Sequence, residues 1–275
     1  VRGQNGTIGQ AYLSGGTQRL VNNGTISADV SGGTLSLAPA NGTTNNGVLE
    51  AKNGGTLVLN TNVIGNAGSS IAIGAGSTVL QNGVTVSGVI NATGGGLFRA
   101  TANNNNFLNA ATLNGTLDLA TATGVERVVG GLTLNGTVNL NSNSVLSFNG
   151  DQTLSGVGTV VLGSTGANNR ALNLEGDTVL TIGSDIVVRG QNGTIGQAYL
   201  SGGTQSLINN GTINSDGGGT LTLGVATSLT NSGTLRAQSG TLTVQNALTG
   251  TGTLRIDPTG LLNLANVANT QGSLV

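Results

Sequence analysis

The sequence contains no cysteine, no histidine, no methionine and no tryptophan, and only two prolines in 275 residues. Without cysteine the chain has neither a disulfide framework nor a thiolate metal site, and without histidine it lacks the commonest metal ligand and general base. Much of the familiar chemistry of enzyme active sites is therefore excluded. A chain without cysteine also suits export in an unfolded state, although many cytosolic proteins lack cysteine as well.

Charged residues are scarce as well, at 7% of the chain against about 25% in ordinary globular domains. The nine lysine and arginine residues are scattered and the net charge is −1, so the chain presents no basic field to the phosphates of nucleic acid. No apolar run approaches the ~18 residues of a membrane-spanning helix. We therefore expect neither nucleic-acid binding nor membrane insertion by this segment. A start at Val1, without Met or a signal-peptide pattern, is typical of an internal piece of a longer chain.

Repetition on a long scale is what the sequence has in abundance. The eighteen residues Val1–Gln18 return unchanged as Val188–Gln205, and the similarity then decays until it is lost by about Leu59. Such near-copies indicate duplication within a tandem array. We take residues 1–187 as one long repeat unit and residues 188–275 as the start of the next.

A shorter period is carried by Gly-Thr followed by alternating apolar residues. The examples are Thr56–Leu59, Thr116–Leu119, Thr137–Leu140, Thr241–Val244 and Thr253–Ile256. Each predicts a strand with one apolar and one polar face, because successive side chains of a strand point in opposite directions. Asn-Gly, Gly-Gly and Ser-Gly stand between the strands and accept the positive φ of sharp corners.

Equivalent Gly-Thr strands return after roughly 20 to 23 residues. A constant coil length with glycine corners favours stacking of like on like over an antiparallel meander. The sequence thus predicts an all-β fold, a right-handed parallel β-helix (β-solenoid) of roughly 20–23 residues per coil, continuous over residues 1–275. At about 4.8 Å between paired strands, roughly a dozen coils would form a rod about 60 Å long. Its open ends lack a polar cap, so we expect an isolated chain to associate end to end or aggregate.

Four segments of this pattern resemble the degenerate repeats of filamentous-haemagglutinin-type adhesins and autotransporter passengers: LVNNGTISAD, LINNGTINSD, LTNSGTLRAQSGTLTV and LTGTGTLRI. The resemblance covers nearly the whole chain. It implies a right-handed β-helix on a bacterial cell surface or in an extracellular filament, exported by a type V or similar pathway, with the rod as a stiff stalk in adhesion, aggregation or biofilm matrix. The partners it implies are neighbouring repeats or rods. No binding residue is carried over from the family.

Three other functions stay open beside the stalk. They are a glycan- or receptor-binding β-helix module, a polysaccharide-processing enzyme and an ice-binding solenoid. Outward threonine rows would suit ice, but the rows in this sequence are interrupted at equivalent outward places by Asp118, Asn139 and Arg255. Tyr12 and Tyr199 both stand in Gln-Ala-Tyr-Leu, where a tyrosine suits sugar stacking or packing at a coil edge.

The closest carboxylates in the sequence are Glu175, Asp177 and Asp185, with Asp151 upstream, and two of them on one face would suit general acid–base work or calcium. Each stands beside Gly or Ser, where solvated turn acids are ordinary. Arg170 near Glu175 would be the cation of a sugar-processing groove, but the chain has one lysine and few aromatic residues. We therefore expect no catalytic residue, no bound metal and no cofactor.

Asparagine recurs in patterns that predict either glycosylation or structural ladders. Six Asn-Gly-Thr triplets match the glycosylation acceptor pattern, and their asparagines are Asn5, Asn23, Asn114, Asn135, Asn192 and Asn210. The same triplet has a purely structural interpretation, with Asn-Gly making a corner and Thr opening a strand. Pairs such as Asn22-Asn23, Asn45-Asn46 and Asn209-Asn210 predict amide ladders between coils. The run Asn103–Asn106 predicts either such a ladder or a surface loop.

Overall fold

The computed structural model describes residues 1–13, 15–121, 123–141, 143–165, 171–265 and 269–275. These residues form strands and turns and contain no helix, hence no helix that would be long and apolar enough to span a membrane. The strands wind into a parallel β-solenoid of about 12 turns with roughly 22 residues in each turn. The predicted fold class is thus confirmed.

In chain order the strands are β1 (Arg2–Gly3), β2 (Asn5–Ile8), β3 (Leu20–Asn22), β4 (Thr25–Ala28), β5 (Thr34–Leu37), β6 (Thr43–Asn45), β7 (Val48–Ala51), β8 (Thr56–Leu59), β9 (Val63–Gly65), β10 (Ser70–Ile73), β11 (Thr78–Gln81), β12 (Thr85–Ala92), β13 (Leu97–Ala100), β14 (Phe107–Asp118), β15 (Val125–Leu140), β16 (Val145–Asn149), β17 (Gln152–Ser155), β18 (Gly158–Gly163), β19 (Leu172–Glu175), β20 (Val179–Ile182), β21 (Ile186–Ala198), β22 (Ser206–Asn209), β23 (Thr212–Ser215), β24 (Thr220–Leu223), β25 (Ser228–Asn231), β26 (Thr234–Ala237), β27 (Thr241–Val244), β28 (Leu248–Thr249), β29 (Thr253–Ile256), β30 (Leu261–Leu264) and β31 (Ser273–Leu274).

Strands pair in parallel with the equivalent strands of the turns before and after. β8, for example, pairs with β5 on one side and with β11 on the other, so that Thr34, Thr56 and Thr78 share one row. Leu57 and Leu59 point inward and are fully buried, while Thr56 and Val58 are half-exposed. The period-two pattern read from the sequence therefore sorts side chains between core and surface as predicted.

Inward side chains form one apolar column that runs from Ile26 to Leu254. Its largest fully buried members are Phe98 and Phe148. Burying a Leu, Ile, Val or Phe side chain stabilises a fold by about 1.5–3 kcal/mol, but here a side chain is covered only when the adjacent turns are in place. The stability of each turn consequently depends on its neighbours.

Glycine corners let successive turns approach closely. Gly115 and Gly136 stand in register between the ladder pairs Asn114–Asn135 and Thr116–Thr137. A Cβ atom on Gly136 would lie 1.9 Å from the carbonyl oxygen of Gly115, so no other residue fits there. Glycine is thus required in the middle of this Asn-Gly-Thr triplet by the stacking itself.

Three strands are much longer than the four-residue strands that the sequence predicts: β14, β15 and β21. In β14 and β15 the register shifts between Asn109 and Ala111, where Ala110 has φ 47° and the facing Gly130 has φ 69°. A bulge of this kind bends a strand around a corner without ending its ladder. The predicted strand Thr116–Leu119 therefore has the wrong bounds, because Thr116–Asp118 are the last residues of the twelve-residue strand β14.

The predicted asparagine ladders are present at both ends of the solenoid. The amide of Asn22 donates to Asn45 Oδ1 at 2.8 Å, and both side chains are buried. On the surface beside them, Asn46 donates to Asn23 Oδ1 at 2.7 Å. A second buried ladder joins Asn209 to Asn231 at 2.8 Å.

The asparagine run forms a turn, as the surface-loop alternative proposed, but its last member faces inward. Asn106 is fully buried. Its amide donates to the carbonyl oxygens of Thr101 at 2.8 Å and Val125 at 3.1 Å, and its Oδ1 accepts the Gly83 N–H at 2.6 Å. Asn106 thus satisfies the main chain of three successive turns.

Candidate functional site

The four acids singled out by the sequence do not converge on a common site. Asp177 Oδ1 accepts the N–H and the hydroxyl of Thr204, both at 2.8 Å, and these hydrogen bonds hold the pKa of this exposed carboxyl below its ordinary value. Asp151 accepts the Val179 N–H at 2.8 Å. Asp185 is approached by its neighbouring serine hydroxyl at 3.3 Å. In the described part of the chain, no three acidic side chains group as they would around a metal ion.

Glu175 differs from the other acids and from the expectation. It is the last residue of β19 and its side chain is 1% exposed, so the prediction of a solvated turn acid was wrong for this residue. Its carboxylate binds Arg127, which precedes it by two turns. Arg170, the cation that the sequence places near Glu175, lies outside the described residues.

Arg127 is held on three sides. Its Nε donates to Glu175 Oε1 at 2.9 Å and its Nη2 donates to Oε2, which makes the pair bidentate. Its Nη1 donates to the Asn104 carbonyl oxygen at 3.0 Å, and the guanidinium carbon lies 4.3 Å from the centroid of the Phe107 ring. Bidentate, partly buried pairs are the strong ones, and removing one partner strands the other charge. We describe these residues as the arginine clamp: Asn104, Phe107, Arg127 and Glu175.

Beside the clamp, two polar side chains lie at outward positions and yet are buried. Ser147 and Asn173 stand in register with Arg127 on the next two turns and have no exposed surface. The Ser147 hydroxyl and both amide atoms of Asn173 lack a hydrogen-bond partner among the described residues. The clamp therefore spans a desolvated strip of surface.

One inward position of the core carries an ionisable group. Glu126 of β15 is fully buried in register with Leu146, and neither of its carboxyl oxygens has a hydrogen-bond partner in the described structure. Burial raises the pKa of Glu126 well above the ordinary value of 4.5. The backbone at Leu108 and Arg127 and the side chain of Gln81 each lower the pKa, but burial outweighs them.

Main-chain carbonyl groups fix the orientation of Gln81, a side chain that also contacts Glu126. Gln81 Nε2 donates to the carbonyl oxygens of Val84 at 2.6 Å and Phe107 at 3.1 Å, which leaves its buried Oε1 without a donor. A carboxylic acid has an O–H to donate and a carboxylate has none. Burial, which is the largest cause of the raised pKa of Glu126, favours the form with the O–H.

Three of the six glycosylation candidates have their amide nitrogen engaged. Asn114 donates to Asn91 Oδ1 at 2.7 Å, and Asn135 donates to Asn114 Oδ1 at 2.9 Å. Asn192 donates to the Ser164 carbonyl oxygen at 3.0 Å. Since a glycan is attached through this nitrogen, a ladder bond must break before it reacts.

The other three present the nitrogen differently. Asn5 and Asn23 are exposed, and within the described part of the chain only their Oδ1 atoms are engaged, accepting from the Thr34 N–H at 2.9 Å and from Asn46 at 2.7 Å respectively. Asn210 is exposed at a corner, next to the buried ladder residue Asn209. These three asparagines are the more accessible candidates, and the sequence alone does not separate them from the rest.

An open groove lies beside the loop at residues 38–42. It encloses about 820 Å³ and is lined by residues that include Arg19, Pro39, Thr44 and Ile64. Arg19 Nη2 donates to Thr44 Oγ1 at 2.7 Å, and Ile64 is 55% exposed. The groove therefore combines one cation, hydroxyl and amide groups and a small apolar surface.

The threonine rows and tyrosines are placed as follows. Thr220 and Thr241 share a row, which Leu261 interrupts on the next turn.

Tyr12 is 93% exposed, whereas Tyr199 is half-buried and donates to Asn104 Oδ1 of the clamp at 2.7 Å.

The chain matches no protein-family model, no curated protein and no solved structure. The parallel solenoid therefore rests on its own geometry, and the family resemblance of its repeats stays an expectation.

Proposed function

We propose that this chain is a structural segment of a bacterial cell-surface or extracellular filament or adhesin, where it acts as a stiff stalk in adhesion, aggregation or a biofilm matrix. The observation that carries the proposal is the continuity of the ladder. β21 spans the boundary between the two long units and pairs with β18 and β19 on one side and with β23 and β24 on the other.

A solenoid of this kind suits a mechanical role. Backbone hydrogen bonds between turns run along the axis, so a pull on the ends is shared by all the ladders of each turn. The buried asparagine ladders and the arginine clamp add side-chain bonds between turns, and the clamp reaches across two turns at once. Stiffness then grows from local contacts, as in other repeat proteins.

Cryo-electron microscopy of the native, full-length material tests this role. We expect turns spaced by about 4.8 Å to run unbroken through successive long units, in rods that pair side by side. Separate short rods that carry ligand density in a groove would overturn the proposal.

A second candidate is a glycan- or receptor-binding module, and the groove beside residues 38–42 is the observation that favours it. Binding to a glycan array that is lost in Arg19→Gln and kept in Arg2→Gln would support this function. Arg2 is a suitable control because its side chain is 82% exposed and lies outside the groove. If the chain binds no glycan on the array, the binding function is rejected and the stalk is the one proposed function that stands.

A further inference from the structure

The two identical segments of the chain make the same contacts on the side that faces the C-terminus. Arg2 approaches Asp29 at 3.6 Å, and its counterpart Arg189 binds Asp216 at 2.6 Å. The backbone agrees as well, since the carbonyl oxygens of Ile8 and Ile195 each accept an N–H from the following turn at 2.9 Å. The first copy therefore contacts the turn that follows it in the same way as the second.

The asparagines of the two copies repeat this agreement. Asn5 Oδ1 accepts the Thr34 N–H at 2.9 Å, and Asn192 Oδ1 accepts the Thr220 N–H at 2.9 Å. The φ angles of the glycines that follow are 85° at Gly9 and 93° at Gly196. The main difference in the backbone is that β1 and β2 are separate strands in the first copy, whereas β21 is continuous in the second.

The side that faces the N-terminus differs between the copies. In the second copy β21 is covered by β18 and β19, with Arg189 in register with Val161 and Ile195 in register with Leu172. In the first copy β1 and β2 pair on one side only, with β4 and β5. We call this open edge, residues 1–13, the N-terminal seat.

At two positions of the seat, Gly3 and Gly6, the contacts within the first copy do not explain why the residue is glycine. A Cβ atom on Gly3 would meet nothing within 4 Å, and one on Gly6 would meet only Leu35, at 3.8 Å. In the second copy the equivalent atoms would lie 2.2 Å from the Leu162 carbonyl oxygen and 2.4 Å from Leu162 Cδ2. The seat is thus shaped to receive a leucine from a turn in front of it.

We infer that the N-terminal seat is an interface whose partner is a preceding copy of this 187-residue unit, bound through that copy's strands β18 and β19. In that arrangement Tyr12 donates its hydroxyl to Asn104 of the preceding copy, as Tyr199 does within this chain at 2.7 Å. The inference rests on the proposed stalk function and adds how successive units join and which residues make the joint.

A tandem protein tests the interface directly: residues 1–187 followed by the whole 275-residue chain, with Tyr12→Phe in the leading unit so that the junction tyrosine is unique. Nitration by tetranitromethane and peptide mapping report its accessibility. We expect Tyr12 to react faster than Tyr199 in the 275-residue chain, and to slow to the rate of Tyr199 in the tandem protein. An unchanged Tyr12 rate in the tandem protein would overturn the inference.

Gly6→Ala distinguishes docking from folding. In the 275-residue chain we expect the same melting temperature as the parent, because the added methyl group has room. In the tandem protein the same change at the junction should return Tyr12 to its fast rate, while Gly15→Ala should not, since neither Gly15 nor its counterpart Gly202 has a neighbour within 4 Å of a Cβ. A junction that tolerates Gly6→Ala would contradict the proposed seat. Short rods in native material would end the stalk proposal and leave these in vitro rates as they are.

Discussion

The N-terminal edge and the covered middle of the solenoid contain the same eighteen residues in two environments. Val1 is 77% exposed, while its counterpart Val188 is fully buried. Ile8 is partly buried against the core, while Ile195 is completely enclosed. Because the sequence is shared and the contacts with the following turn agree, the difference arises from the turn that covers one copy and not the other. An inward side chain in this fold is fully buried only when turns on both sides cover it.

The arginine clamp should give the largest difference between middle and edge. Arg127→Met would leave the Glu175 carboxylate buried and unpaired, so we expect the free energy of unfolding to fall by about 3–5 kcal/mol. Arg2→Met is the matched change at the edge, where Arg2 is 82% exposed, and its effect should be near the limit of measurement. Urea denaturation followed by circular dichroism measures both. Equal losses would mean that covering turns do not strengthen ion pairs in this fold.

Ile8 and Ile195 occupy the same place in the two identical segments and allow the edge to be compared with the covered middle. Ile195→Ala opens a cavity between covered turns and should cost about 2–5 kcal/mol. Ile8→Ala removes a side chain that is covered on one side, and roughly 1 kcal/mol is expected. Urea denaturation of the two variants tests this, and a loss for Ile8→Ala as large as that for Ile195→Ala would show that the edge is covered in solution.

Glu126 offers a test by pH. Because its folded pKa is raised above the ordinary 4.5, the stability linked to this group is fully present below that value and is lost as the pH rises through the folded pKa. Glu126→Gln removes the titration, so its gain in unfolding free energy over the parent should be larger at pH 8 than at pH 5. Thermal melts across this range measure the gain.

Glu50 is the matched control near the N-terminal edge and has the opposite sign. Burial is the largest single influence and raises its pKa, but the hydrogen bonds from Lys52 and Ser27 and the charge of Lys52 together outweigh burial and lower the pKa overall. Glu50→Gln should therefore lose stability at neutral pH, and the loss should disappear as the pH falls through that lowered pKa. A Glu126→Gln gain that does not change with pH would show that Glu126 is not a buried neutral acid.

Glycan occupancy is the subtlest difference. If the native material is glycosylated, Asn5 should be occupied more than Asn192, although both stand in the same triplet, because only the Asn192 amide donates to Ser164. Asn23 and Asn210 should follow Asn5. Glycopeptide mass spectrometry gives the occupancies, and a higher value at Asn192 would contradict the accessibility argument.

Local features were predictable from the sequence. The strands Thr56–Leu59, Thr241–Val244 and Thr253–Ile256 have the predicted bounds, and the ladder from Asn22 to Asn45 forms as expected. Each depends on a pattern repeated from turn to turn, and such a pattern is visible in one turn. The carboxylates were less predictable, since Glu175 and the glutamate at position 126 carry no local mark of burial.

The side-chain pairs between distant residues could not be predicted from the repeat periods of the sequence. Arg127 and Glu175 are two turns apart, and Tyr199 reaches Asn104 across several turns. Neither spacing equals the coil length of roughly 22 residues, so no repeat pattern brings these residues together. The bulged corner of the β14–β15 pair likewise depends on the positive φ of Ala110, which the alternation of apolar residues does not predict.

The sequence by itself determined the parallel stacking, the length of the turn and the glycine corners, because these follow from side-chain alternation and from backbone sterics within a few residues. The tertiary structure alone decided which of two identical segments is buried, which carboxylate is paired and which has its pKa raised by burial, and which asparagine amides are accessible. Those properties depend on solvent exclusion and charge pairing between turns, and both are set by the neighbours that a segment meets after the chain has folded.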